Sequence, residues 1–236
     1  MTATTPPPNL YHILLTTSHI QKNPNNVIEK LRIPGTYTSL ASASAAAHSA
    51  LYDAGYERDF FTHYETKADL LAKDDAGSAN PNLAEQRGLV VYATANDGTR
   101  FRVRIDTTPN EKRLTSELAD GRVPVPLYYV VQADVEYTGG GDEGSLVREM
   151  SVQGVFERYE QARAFAGWVL LSEEDGVTKE SFAEYTEAAQ GETDCGYGDN
   201  VIVHAATDYG TNYLVSVIKT QELQAVKVAE AAMRIL

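Results

Sequence analysis

A single cysteine, Cys195, stands in a chain of 236 residues. An intramolecular disulfide needs two and a cysteine-based zinc site needs more, so both are excluded. No histidine pair has the HExxH spacing of a zinc site, and no G-x-S-x-G elbow is present. No stretch approaches the ~18–20 consecutive apolar residues of a membrane-spanning helix. The opening MTATTPPPN has neither a basic n-region nor an apolar h-region, so no secretory signal is expected. These absences lead to the expectation of a cytoplasmic protein with no membrane partner, no metal and no cofactor.

What is present suits a globular chain. Hydrophobic residues make up 43% and charged residues 22%, enough to bury a core and too apolar for wholesale disorder. The net charge of −13 is unevenly placed. Residues 10–108 hold 11 acids and 10 bases, whereas 127–220 hold 17 acids and 5 bases. The second half therefore repels phosphate backbones, and nucleic acid is a disfavoured partner.

The chain repeats itself. LYHILLTTSHI (10–20) matches LYYVVQADVEY (127–137), and VIEKLRIPGTYTSLASASAAAHSAL (27–51) matches LVREMSVQGVFERYEQARAFAGWVLL (146–171). RDFFTHYE (58–65) matches KESFAEYT (179–186), and ATANDGTRFRVRI (93–105) matches AATDYGTNYLVSVI (205–218). The paired positions are mostly apolar, aromatic or glycine: Gly35 with Gly154, Tyr37 with Phe156, Ala43 with Ala162, Ala47 with Ala166, Phe61 with Phe182, Tyr64 with Tyr185, Gly98 with Gly210 and Phe101 with Tyr213. Four blocks in one order point to a duplication.

Each unit reads as strand, polar loop, strand, helix, a shorter helical piece and a closing hairpin. Ser39 is the expected N-cap of the first helix. Ala162, Phe165, Ala166 and Val169 make a helical stripe in the second. The spacing of three in Phe61/Tyr64 and Phe182/Tyr185 predicts a second helix in each unit. The fold class is thus α+β: two tandem ββα(α)ββ repeats with antiparallel sheets and a pseudo-twofold relation, plus a C-terminal helix. The boundaries are a disordered start (1–9), repeat units at 10–108 and 127–220, a linker at 109–126 with room for a helix over 112–119, and an amphipathic helix over 221–236. The two sheets either pack face to face or join edge to edge.

Several features invite chemistry. GGGDEG (139–144) matches G-x-G-x-x-G, but a strand follows where a dinucleotide site needs a helix N-terminus. It reads as a hairpin turn. Cys195 lies among Glu192, Asp194 and Asp199, which disfavour a thiolate. Of the five histidines, His12 and His19 point to opposite strand faces. His63 and His204 have polar neighbours in sequence and are the catalytic candidates. Arg100, Arg102 and Arg104 alternate with apolar residues and share one sheet face. Their counterparts are Asn212, Leu214 and Ser216, so this face diverged while the framework stayed. The three arginines, with Tyr64 and Tyr185, form the candidate binding set.

Gly35, Tyr37, Ser39, Ala43, Ala46 and Ala47, followed by Asp59, Phe60, Phe61, Tyr64 and Glu65, form a pattern that resembles a group of uncharacterised tandem-repeat proteins of filamentous fungi. The second unit departs from it, with Ser181 in place of Phe60. The resemblance implies the repeat architecture and no activity. The functional expectation is a non-catalytic binding or interaction protein, with a homodimer, a protein partner or a small-molecule ligand as its occupant. The alternative is a small-molecule enzyme without metal or nucleotide, with its site between the repeats.

Overall fold

The computed structural model describes residues 6–18, 30–74, 87–138, 145–221 and 223. The loops QKNPNN and GGGDEG, His19 and nearly all of the expected C-terminal helix lie outside these residues. The chain is α+β and forms two compact units. The first contains β1 (Asn9–Ser18), β2 (Lys30–Tyr37), α1 (Leu40–Asp53), β3 (Phe61–Thr66), α2 (Lys67–Asp74), β4 (Leu89–Ala95) and β5 (Arg100–Pro109). The second contains β6 (Tyr128–Thr138), β7 (Ser145–Phe156), α3 (Tyr159–Ala166), β8 (Glu184–Glu187), β9 (Val201–Ala206) and β10 (Asn212–Lys219). Each unit has its own five-stranded antiparallel sheet, ordered β2-β1-β5-β4-β3 and β7-β6-β10-β9-β8. The two orders are the same path drawn twice.

Five strands replace the expected four because the Phe61/Tyr64 block is a strand, not a helix. A bulge at Thr62 sets Phe61 opposite Ala95 and His63 opposite Thr94. The extra residue brings Phe61 and Tyr64, three apart, to the same face, with ring centroids 5.7 Å apart. In the second unit Phe182, just before β8, and Tyr185 within it also meet, with ring centroids 5.5 Å apart. Aromatic and β-branched residues suit a half-buried sheet edge better than a helix. The first unit does have a second helix, α2, but it follows β3.

The shared residues explain the shared geometry. In both closing hairpins a glycine supplies the left-handed residue of a three-residue loop: φ is +80° at Gly98 and +89° at Gly210. The loop closes with Ala95 N to Thr99 O at 2.8 Å and Thr207 N to Thr211 O at 2.9 Å. In the G-x-[YF] pair, the aromatic ring lies over the glycine. A Cβ on Gly35 would come within 3.2 Å of the Tyr37 ring, and one on Gly154 within 2.8 Å of the Phe156 ring. Ser39 caps α1 as expected, accepting from Ser42 N at 3.1 Å.

The first core lies between α1 and one sheet face. Ala43, Ala47, Ala50 and Leu51 meet Ile13, Leu15, Val91, Ala93, Phe101 and Val103, all buried. Alanines let the helix sit close, and aromatic rings fill the end of the interface. Phe61 and Phe101 meet edge-to-face at 5.6 Å, as Phe182 and Tyr213 do at 6.2 Å in the second unit. There Ala162 and Ala166 of α3 pack on Val130, Val203, Val215 and Val217. β1 is buried on its other face too, through Leu10, His12, Leu14 and Thr16.

The connecting segment differs from its expectation. No helix forms over 112–119. The Asn110 side chain binds both N and O of Leu114, and Arg113 takes φ 55°, which ends any helical run. The segment lies along the outer edge of β2: Thr38 N donates to Gly121 O, and Val123 N to Thr36 O. This covers an edge that would otherwise present unpaired backbone. Gln221 N reaches Ile33 O of the same strand, and Leu223 is helical and packs on the first core. Of the start expected to be disordered (1–9), residues 6–9 are described and ordered by contacts, and 1–5 lie outside the described residues. Pro7 and Pro8 are held through their carbonyls by Asn110, and Asn9 begins β1.

Candidate ligand-binding cleft

Within each unit, the residues singled out in the sequence do not converge on one point. Arg100, Arg102 and Arg104 share the face of the first sheet opposite α1, as their alternation requires. Arg100 is exposed beside Thr94 and Ser18. Arg102 is half-buried between Thr16 and Tyr92. Arg104 is half-buried, and its Nε donates to Arg87 O at 3.0 Å. One member of the row is thus committed to the backbone of its own unit.

Tyr64 lies on the helix face of the first sheet, opposite those arginines, and Tyr185 lies on the helix face of the second sheet. Each ties a helix to an edge strand. Tyr64 Oη donates to His48 O at 3.2 Å, and Tyr185 Oη to Gly167 O at 3.3 Å. Each ring also carries a cation from the equivalent position, Arg58 at 5.6 Å and Lys179 at 5.4 Å. Burial pushes both hydroxyls up to about 12. A matched bond at matched positions in both units marks framework.

His63 is exposed on β3, opposite Thr94. His204, on β9, sits in a polar cluster. Asn212 Nδ2 donates to Gly210 O, which leaves Oδ1 to accept from His204 Nε2 at 3.1 Å. The ring therefore carries its proton on Nε2. Nδ1 is buried, makes no hydrogen bond and lies 3.9 Å from Glu184 Oε1. Tyr197 stacks on the ring at 3.7 Å and 14°, and its hydroxyl donates to the same Glu184 oxygen. That bond is the largest cause of the raised Tyr197 hydroxyl. The cluster pins the 189–200 loop across β8 and β9, and the imidazole offers no nitrogen to solvent. Cys195, in the same loop, has its thiol pushed up chiefly by burial. The direction matches the sequence reading, but burial outweighs the neighbouring acids.

A concave site lies elsewhere, wholly within the first unit. A cleft of about 410 Å³ opens between α1, the start of α2, and strands β4 and β5. Leu40, Leu89, Val90 and Ile105 give it apolar walls. Ser44, Lys67, Arg87, Asp106 and Thr107 supply its polar atoms. Gly88 joins the walls: its carbonyl accepts from Ile105 N at 2.8 Å with φ +73°, and a Cβ there would sit 2.1 Å from Ile105 O. At this separation a side chain on residue 88 would collide with the Ile105 backbone, which glycine avoids. Sequence reasoning missed the cleft because its lining is gathered from residues 40 to 107. One signal was available: Ser44 and Lys67 align with Arg163 and Ala188, a divergence as marked as that of the arginine row.

Among the described residues, no three His, Cys, Asp or Glu side chains are placed to hold a metal. No helix of those residues is long and apolar enough to cross a membrane. No family model, curated protein or solved structure matches the chain.

Proposed function

We propose that this is a non-catalytic binding protein that seats a small ligand in the cleft of its first unit. The observation that carries the reading is the cleft itself. Its volume of about 410 Å³ falls within the roughly 300–1,000 Å³ typical of small-molecule sites, and its lining combines an apolar wall with polar groups that can orient a ligand. Two further observations support binding over catalysis. The lining contains neither histidine nor cysteine, and Asp106, its one carboxylate, accepts from Thr107 N at 2.8 Å. His204, the better of the two catalytic candidates, is enclosed by Tyr197 and held by Asn212.

A ligand-observed NMR screen of small amphipathic fragments against the full chain tests this. Ser44 faces the cleft from α1, so Ser44→Trp should fill it and abolish fragment binding while far-UV circular dichroism stays unchanged. Fragments that bind the filled variant as well as the wild type would overturn the assignment, as would a screen with no binders.

A further inference from the structure

We infer that the ligand of this cleft is a small monocarboxylate with an apolar body, its carboxylate held by Lys67 and Arg87; the inference rests on the binding reading above. The internal duplication supplies the comparison. The backbone beside the cleft is laid down twice. Gly88 and Asn200 occupy equivalent left-handed positions, φ +73° and 63°. Gly88 O accepts from Ile105 N, and Asn200 O from Val217 N at 3.0 Å. In the second unit the matching helix position carries a cation. Arg163, the counterpart of Ser44, reaches from α3 and donates to the carbonyls of Ala188, Ala189 and Glu192 at 3.0, 2.7 and 3.5 Å. Its guanidinium satisfies the backbone there and ties the chain after β8 down over the helix.

The first unit has no such arginine. Ser44 is too short to cross, and Lys67 replaces Ala188 at the edge. Arg87 adds a second cation, and neither side chain is engaged by a hydrogen bond or ion pair among the described residues. Where the second unit offers carbonyls to a resident cation, the first offers two unengaged cations to a visitor. The two positive charges face one carboxylate, Asp106, so the lining carries an excess of one positive charge. This excess stands out in a chain of net charge −13, and a single anionic group neutralises it. A guanidinium and an ammonium lining one cleft suit a planar carboxylate, which accepts from both. Leu40, Leu89, Val90 and Ile105 then take the apolar body.

The test titrates octanoate, octanamide and octylammonium into the full chain by isothermal calorimetry. Octanoate should bind at least about tenfold tighter than octanamide, the scale of one charge-assisted contact worth about 1.4 kcal/mol, and octylammonium should bind no better than octanamide. The double variant Lys67→Met/Arg87→Met should bring octanoate to the octanamide level and leave octanamide unchanged. Both side chains are exposed, so the variant should keep the wild-type circular dichroism and Tm. Equal binding of octanoate and octanamide, or an unchanged double variant, overturns the carboxylate assignment and leaves the cleft reading standing. If no octyl probe binds while the fragment screen finds ligands blocked by Ser44→Trp, the ligand class is wrong. If the screen is also silent, both readings fall.

Discussion

Acidification should destabilise this protein through His12. The ring is fully buried on β1, with Nδ1 2.8 Å from Thr36 Oγ1 and Nε2 2.8 Å from Thr108 Oγ1. It thereby links β1 to its neighbours on both sides, β2 and β5. Burial lowers its pKa from 6.5 to about 3. Above pH 6.5 the ring is neutral in both the folded and unfolded states and contributes no pH dependence. Below 6.5 the unfolded chain takes up a proton that the folded chain refuses, so stability falls with pH until the folded ring also protonates near 3. The slope is about 1.4 kcal/mol per pH unit, so moving from pH 7 to 4.5 should cost about 2.7 kcal/mol through this residue alone. Urea unfolding followed by circular dichroism at both pH values measures the loss. His12→Gln keeps an uncharged hydrogen-bonding group that takes no proton. The variant should be less stable than wild type at pH 7, yet lose about 2.7 kcal/mol less on acidification. Carboxylate titration is common to both chains and cancels in the comparison. Equal acid losses in the two proteins would refute the reasoning.

Gly88→Ala should cost more than about 2 kcal/mol, because it combines a left-handed residue with a Cβ driven into a backbone carbonyl; a urea midpoint within error of wild type would contradict this. Tyr64→Phe and Tyr185→Phe should each cost about 1 kcal/mol, the worth of one hydroxyl–carbonyl bond, and the two losses should match because the bonds are equivalent; chemical denaturation of each variant measures them. Arg163→Ala removes a guanidinium shared by three carbonyls, so amide exchange in 188–192 should accelerate while the β9 and β10 amides keep their protection; uniform acceleration across the second unit would show a global effect instead.

The duplication, the glycine at each hairpin turn, the serine cap of α1 and the common face of the three arginines were all readable from residue order. Each depends on neighbours a few positions apart, where backbone geometry ties spacing to direction. The Phe61–Thr66 segment shows where this stops. A spacing of three places two rings on one side of a helix, and it does the same in a strand that bulges at Thr62. Pairing with β4 decides between them, and that partner lies some thirty residues further on.

The cleft marks the sharper division. Local sequence settled that Ser44 would lie on a helix, that 93–105 would be a hairpin, and that Gly98 would sit at its turn. It could not say that Ser44, Lys67, Arg87 and Asp106 would face one space, because that depends on how α1 sits on the sheet and where α2 begins. Side-chain volume decided the rest. An arginine bound to three backbone carbonyls stands at this helix position in one unit, and a serine at the matching position lines the open cleft in the other.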